Sequence, residues 1–142
     1  MIETQFLIKY TTTLHAPLER VWQALTDPAI VKQYFFGTEL VTSWEVGEPL
    51  YFQGEWDGKP YQDRGEVLEY AANKRLAFSY LSSWSGKEDL PENYLWVCYE
   101  VKPTDSGTEL TILQTNYDEE RAKHSEGNWA SLIEEMRKVV EV

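Results

Sequence analysis

Few residues in this chain carry side chains that could do chemistry, and their spacing is uninformative about catalysis. His15 stands directly before Ala16-Pro17, and His124 falls on the polar side of a helical pattern near the C-terminus. A histidine serves as a general base or a metal ligand when a partner holds it. Neither histidine has such a partner at ligand spacing, and two isolated histidines make no metal motif, so solvated or structural roles are expected. The sole cysteine, Cys98, sits between Val97 and Tyr99 in a strand pattern. Buried there it is a small inert hydrophobe, and a single cysteine excludes both an intrachain disulfide and a multi-cysteine zinc site. Asp57, Asp63, Glu66 and Glu69 gather along one hairpin. Paired carboxylates could act as acid and base, but solvated turn and outer-face positions are the usual place for such residues. The chain has no phosphate-cradling glycine loop, no Gly-x-Ser-x-Gly and no Cys-x-x-Cys. No catalytic residue, metal or cofactor is assigned. The remaining signal is Trp129, which serves either core packing or the wall of a ligand site, with its indole N–H offered to a bound molecule.

These residues must be positioned by one domain covering residues 1–142, because the length is too short for two ordinary domains. A domain of this size buries about 70% of its unfolded surface and needs no staple. The net charge of -11 repels phosphate backbones and anionic surfaces, which argues against a nucleic-acid partner. No apolar run approaches a membrane span. The first residues carry neither a basic segment nor a signal-peptide core. A cytoplasmic location is expected. Fifteen of the residues are Trp or Tyr, six and nine respectively, and such side chains suit cores, interfaces and cavity walls equally well.

The element pattern is more specific. Phe6, Ile8, Tyr10, Thr12 and Leu14 alternate with Gln5, Lys9, Thr11 and Thr13, Leu7 being the exception, and predict a strand of about ten residues. Leu18, Val21, Trp22 and Leu25 share one helical face, with Pro17 expected at the first helical position. Asp27-Pro28 stops that helix and caps a second, running to Tyr34. A strand near residues 39–44 and a turn at residues 46–49 follow. Residues 50–56 and 61–70 then form a hairpin about Asp57-Gly58, since a tight primed turn needs positive φ. Gly65 is expected to mark a bulge in the second of these strands. Three further strands are predicted at residues 75–81, 94–102 and 108–117, with residues 82–91 as an exposed loop between the first two. A C-terminal helix runs to Val140 with Ala122, Ser125, Trp129, Leu132, Ile133, Met136 and Val140 on its apolar stripe. Gly127 interrupts that helix, either bending it or letting it pack closely. Strands in a run with helices segregated from them make an α+β fold. The long helix must lay its stripe on the concave side of a curved antiparallel sheet.

The block Leu14-x-Ala16-Pro17-x-x-x-Val21-Trp22-x-Ala24-Leu25-Thr26-Asp27-Pro28 resembles the opening of the START-like, or SRPBCC, superfamily. Within it the similarity is to the group named after the activator of the ninety-kilodalton heat-shock chaperone's ATPase. Tyr34-Phe35-Phe36, the glycine-bounded hairpin at Gly47 and Asp57-Gly58, Gly65-Glu66-Val67, Leu76-Ala77-Phe78 and Trp129 continue the pattern in order. The resemblance implies a helix-grip fold, with six or seven strands around the C-terminal helix and a cavity between them. It transfers no catalytic residue. The expected cavity walls are Phe36, Phe52, Trp56, Tyr80, Trp96, Trp129 and Ile133. The implied function is binding of an apolar or amphipathic small molecule or lipid, by a monomer or weak dimer that does not insert into membranes. Two alternatives stand beside it: a chaperone-associated stress protein and a polyketide cyclase-like enzyme.

Overall fold

The computed structural model describes residues 6–141, and Gln5 of the expected first strand lies outside them. The elements are β1 (Ile8–Leu14), α1 (Leu18–Thr26), α2 (Pro28–Tyr34), β2 (Glu39–Thr42), β3 (Pro49–Trp56), β4 (Lys59–Ala71), β5 (Arg75–Tyr80), β6 (Leu95–Thr104), β7 (Gly107–Gln114) and α3 (Glu119–Val140). One 3₁₀ turn at Pro91–Asn93 precedes β6. All strand pairs are antiparallel, and the sheet order is β1-β7-β6-β5-β4-β3-β2. This is the helix-grip architecture, with α3 laid across the concave face.

The start of the chain differs in detail from expectation. Pro17 is extended, with φ -62° and ψ 152°, and precedes α1 as its N-cap instead of entering it. Asp27 does cap α2, accepting the Ala29 N–H at 2.9 Å, with Pro28 at the first helical position. The apolar face of α1 is buried through Val21, Trp22, Ala24 and Leu25. The Tyr34 hydroxyl donates to the Ala24 carbonyl at 2.6 Å, and the Trp44 indole donates to the Thr26 carbonyl at 2.9 Å. Both satisfy carbonyls near the end of α1 that have no helical partner. Trp44 adopts φ 60°, which explains why β2 ends at Thr42.

The β3–β4 hairpin turns at Asp57 and Gly58, both at positive φ (52° and 77°), as a primed turn requires. The expected bulge at Gly65 is absent; the register slips further on, between Val67 and Glu69. Gly65 serves a different purpose. A Cβ there would lie 1.7 Å from the Ser79 carbonyl oxygen, so only glycine permits this approach of β4 to β5. It falls where β4 is flanked on both sides, paired with β3 through Glu66 and bridged to Leu81 on the β5 side from Arg64.

The C-terminal half of α3 closes one end of the interface. Ile133, Met136 and Val140 join the main core with Leu14, Val21, Leu110 and Ile112. Arg137 fastens this half to β1, donating to the Thr13 carbonyl and the Thr12 hydroxyl, each at 2.9 Å. It also pairs with Glu141 at 2.8 Å, whose carboxylate accepts the His15 backbone N–H at the same distance. Gly127 neither kinks α3 out of its helical run nor packs closely, since a Cβ there would meet nothing within 4 Å.

Candidate ligand cavity

The N-terminal half of α3 faces the same sheet but does not fill the space above it. Between them lies an open-mouthed cavity of about 950 Å³. Its floor is the concave face of the sheet: Phe52 from β3, Phe78 and Tyr80 from β5, and Leu95, Val97 and Tyr99 from β6. Its roof is α3, from Arg121 and His124 to Trp129 and Leu132, and its side walls are the loops carrying Phe35, Phe36 and Trp84 and the end of β3 at Trp56.

The floor is an arc of aromatic rings. Phe35 stacks on Phe52 at 5.5 Å between centroids, Phe52 meets Phe78 at 5.8 Å, Phe78 meets Tyr99 edge-on at 5.7 Å, and Tyr99 meets Trp129 edge-on at 5.8 Å. Offset and edge-on arrangements suit the ring quadrupoles and make the wall stiff. The Trp129 indole N–H, for which the sequence left core packing and a ligand contact both open, donates to Gln114 Oε1 at 2.7 Å. It is therefore satisfied within the protein.

A polar group at the edge of the floor is also engaged within the protein. Asp63, buried, accepts from the Tyr80 hydroxyl at 2.5 Å and from the Ser83 N–H and hydroxyl at 2.8 and 3.0 Å. Three donors compensate the desolvation of that carboxylate. Burial, together with the Asp63 charge, holds the Tyr80 phenol well above its usual range. Burial likewise raises Tyr99. Both remain neutral at ordinary pH and are not bases there. The Ser83 bonds tie the 82–91 loop to the sheet at one end. At the other, Asp89 pairs with Arg64 at 3.1 Å and accepts the Tyr94 hydroxyl. The loop forms one wall of the cavity, with Trp84 set against Tyr61 at 6.3 Å.

Of the residues expected to line the cavity, Phe36, Phe52, Trp56, Tyr80 and Trp129 are brought together around it. Trp96 is not. Strand alternation sends Val97 and Tyr99 to the concave face, so Trp96 points outward, where the Arg75 guanidinium lies 5.8 Å from its ring beside Glu69 and Glu100. Ile133 is also misplaced. It is buried in the core cluster, one turn beyond Trp129 toward the filled end. Sequence reasoning missed Phe35, Phe78, Trp84, Tyr99 and the polar rim of Arg121, His124 and Asn128. Phe78 had a usable signal, since it shares a strand face with Tyr80, whereas Tyr99 lies on the face opposite to Trp96, the residue expected on the wall.

The other chemistry-bearing residues lie apart from one another. His15 Nδ1 is 3.2 Å from the Ser106 carbonyl at the β1–α1 corner. Cys98 is buried on the opposite side of β6 from the cavity, and burial pushes its thiol up to about 12, so it stays protonated and unreactive. The four hairpin acids do not converge: Asp63 is tied inward, Glu69 pairs with Arg75 on the outer face, and Asp57 sits in the turn. Among the described residues no three His, Cys, Asp or Glu side chains form a metal-holding group. No described helix is long and apolar enough to cross a membrane.

The family model for "Activator of Hsp90 ATPase homolog 1-like protein" matches residues 15–141, from α1 through β2–β7 to α3. The chain belongs to this family. A solved protein from Cytophaga hutchinsonii is similar at 39% identity, with 95% of this chain and 93% of that one covered and a TM-score of 0.83. CalU16 from Micromonospora echinospora matches at 20% identity over 94% and 74% of the two chains, with a TM-score of 0.72. The Aha1 dimer from Colwellia psychrerythraea matches at 16% identity over 96% of each chain, with a TM-score of 0.73. The last two similarities establish the shared helix-grip fold. No curated protein matches the chain in sequence.

Proposed function

We propose that this domain binds an apolar or amphipathic small molecule between its sheet and α3, and does not transform it. The observation that carries this reading is the 950 Å³ space beneath the N-terminal half of α3, walled by an aromatic arc. Ligand sites are typically concave, mostly apolar and about 300–1,000 Å³ in volume, with a few placed polar groups. The absence of a free base on the cavity floor favours binding over cyclase-like catalysis, because Tyr80 is committed to Asp63. The cytoplasm is the compartment proposed for this activity. Native mass spectrometry of the freshly purified protein, followed by solvent extraction, tests the reading. A stoichiometric apolar adduct is expected. A protein that is recovered empty and also fails to take up hydrophobic probes would overturn it.

A second reading, association with a chaperone, draws on the family and on one feature of the surface. Phe36, Trp56 and Trp84 are 72%, 65% and 58% exposed and stand together at the cavity mouth. Exposed apolar groups of this size mark interaction sites when they cluster. This reading expects capture of the chaperone and a change in its ATPase rate, both lost when Trp56 and Trp84 are replaced by Ser.

A further inference from the structure

The formally charged side chain on the cavity wall, Arg121, is positive. Acidic residues outnumber Lys and Arg by 24 to 13 in the chain, yet no Asp or Glu lines the cavity. The Arg and His side chains that do line it, Arg121 and His124, are three residues apart on α3 and therefore on one helical face. Tyr117, also on the wall, gathers a further cation. The Arg121 guanidinium lies 5.3 Å from its ring centroid, and the Lys87 ammonium lies 5.1 Å from it. Two cations held against one ring repel each other, and an anion beside them relieves that repulsion.

The neighbouring acids do not neutralise this group. Asp118 spends its Oδ1 on capping α3 through the Arg121 N–H at 2.7 Å, and its other oxygen is a distant 3.8 Å from Arg121 Nε. An exposed pair at that separation is weak. It leaves both terminal nitrogens of the guanidinium without an acceptor among the described residues. Asp89, on the loop that carries Lys87, is held by Arg64 and Tyr94. The imidazole of His124 is exposed and offers an N–H donor. At the opposite side of the cavity Phe52, Phe78 and Val97 present only hydrocarbon and aromatic surface.

We infer that the occupant is an amphipathic anion, an apolar carboxylic acid whose body lies on the aromatic floor and whose carboxylate is held at the mouth by Arg121 and His124, with Lys87 adding to the local positive potential. The inference rests on the binding function proposed above and specifies its ligand class. A guanidinium binds a planar carboxylate through parallel hydrogen bonds. In an acidic protein, such a local reversal of sign selects for a negative group.

Dodecanoate and 1-dodecanol separate the two levels of the claim, because they share a chain and differ at the head. Binding is followed through tryptophan fluorescence, with Trp129 and Trp84 on the cavity wall. Dodecanoate is expected to bind about tenfold or more tighter than the alcohol, the scale of one charge-assisted hydrogen bond, and to lose much of that advantage in high salt. The double substitution Arg121→Gln with His124→Gln should bring the acid to the level of the alcohol. Unchanged alcohol binding would show that the variant is folded and its cavity intact. Equal binding of the two probes by the unsubstituted protein would overturn the anion inference and leave the cavity reading standing. A preference for the acid that survives the double substitution would overturn the assignment to these residues. If neither probe binds, both levels fail together.

Discussion

The two halves of α3 lie on the same sheet and do opposite things. From Ile133 to Val140 the helix is pressed into the core and clamped to β1 through Arg137. From Arg121 to Leu132 it roofs a cavity. The apolar stripe is continuous across both halves, so hydrophobic periodicity does not distinguish them. The distinction comes from what the sheet and the connecting loops place opposite the helix. At the filled end Leu14, Val21, Leu110 and Ile112 are buried with Ile133, Met136 and Val140 in one core cluster. At the open end stiff rings lie against one another along the sheet and leave volume above them. A protein interior is otherwise close-packed, so unfilled space of this size argues for a use.

The largest effect should come from truncation at the filled end. Ile133→Ala removes a side chain that is 1% exposed and should cost about 2–5 kcal/mol in urea unfolding. Leu132→Ala, at the neighbouring position but bordering the cavity, should fall at or below the low end of that range, because its site already adjoins open space. Equal losses would mean that the two halves are packed alike and would remove the basis of the comparison.

Overfilling gives a second and sharper contrast on a single strand. Val97 and Val101 both point inward from β6 and both belong to the buried cluster, but only Val97 borders the cavity. Val101→Phe should cost about 1–3 kcal/mol from overpacking. Val97→Phe should change stability by less than about 1 kcal/mol, because the ring has room, and should abolish uptake of a hydrophobic probe.

The fold was more legible in the sequence than the site, and the reason is periodicity. The α1 face, the Asp27 cap, the Asp57-Gly58 turn and the α3 stripe are local patterns, readable from a few adjacent residues. The boundary between filled and open halves of α3 is a long-range property. Ile133 and Leu132 are neighbours on α3 and both are buried, yet only Leu132 borders the cavity, a distinction the local pattern does not carry. Trp96 shows a different failure. Residues 95–99 carry large apolar groups on both faces of β6, and an aromatic there looked like a wall although alternation with Val97 placed it outside. The cationic rim escaped notice because Arg121, His124 and Lys87 look like ordinary solvated positions until the fold gathers two of them around Tyr117.

Gly127 offers a smaller test, on the open half of α3. Its substitution by Ala should stabilise the protein by about 0.5–1 kcal/mol in thermal or urea unfolding, since the added Cβ meets nothing and glycine is a poor helix former. A loss of stability would show that the helix above the cavity needs its flexibility to hold its position.

The smallest effect should be a pH dependence confined to the filled end. The His15 backbone N–H, and then Arg137, lower the Glu141 carboxyl below its ordinary value. A depressed carboxylate contributes stability that is fully present above its unfolded value, about 4.3. That contribution is lost as the pH falls through the lower, folded value, because the unfolded chain takes up the proton first. Glu141→Gln should therefore lower the melting temperature slightly near pH 7, and the deficit should shrink as the pH is lowered below 4. Glu141 fastens α3 to the β1–α1 corner and does not line the cavity. Its replacement should leave probe binding near pH 7 unchanged. If the substitution weakens binding as much as it weakens folding, the clamp at the filled end sets the spacing of the open end, and the two halves of α3 act as one lever.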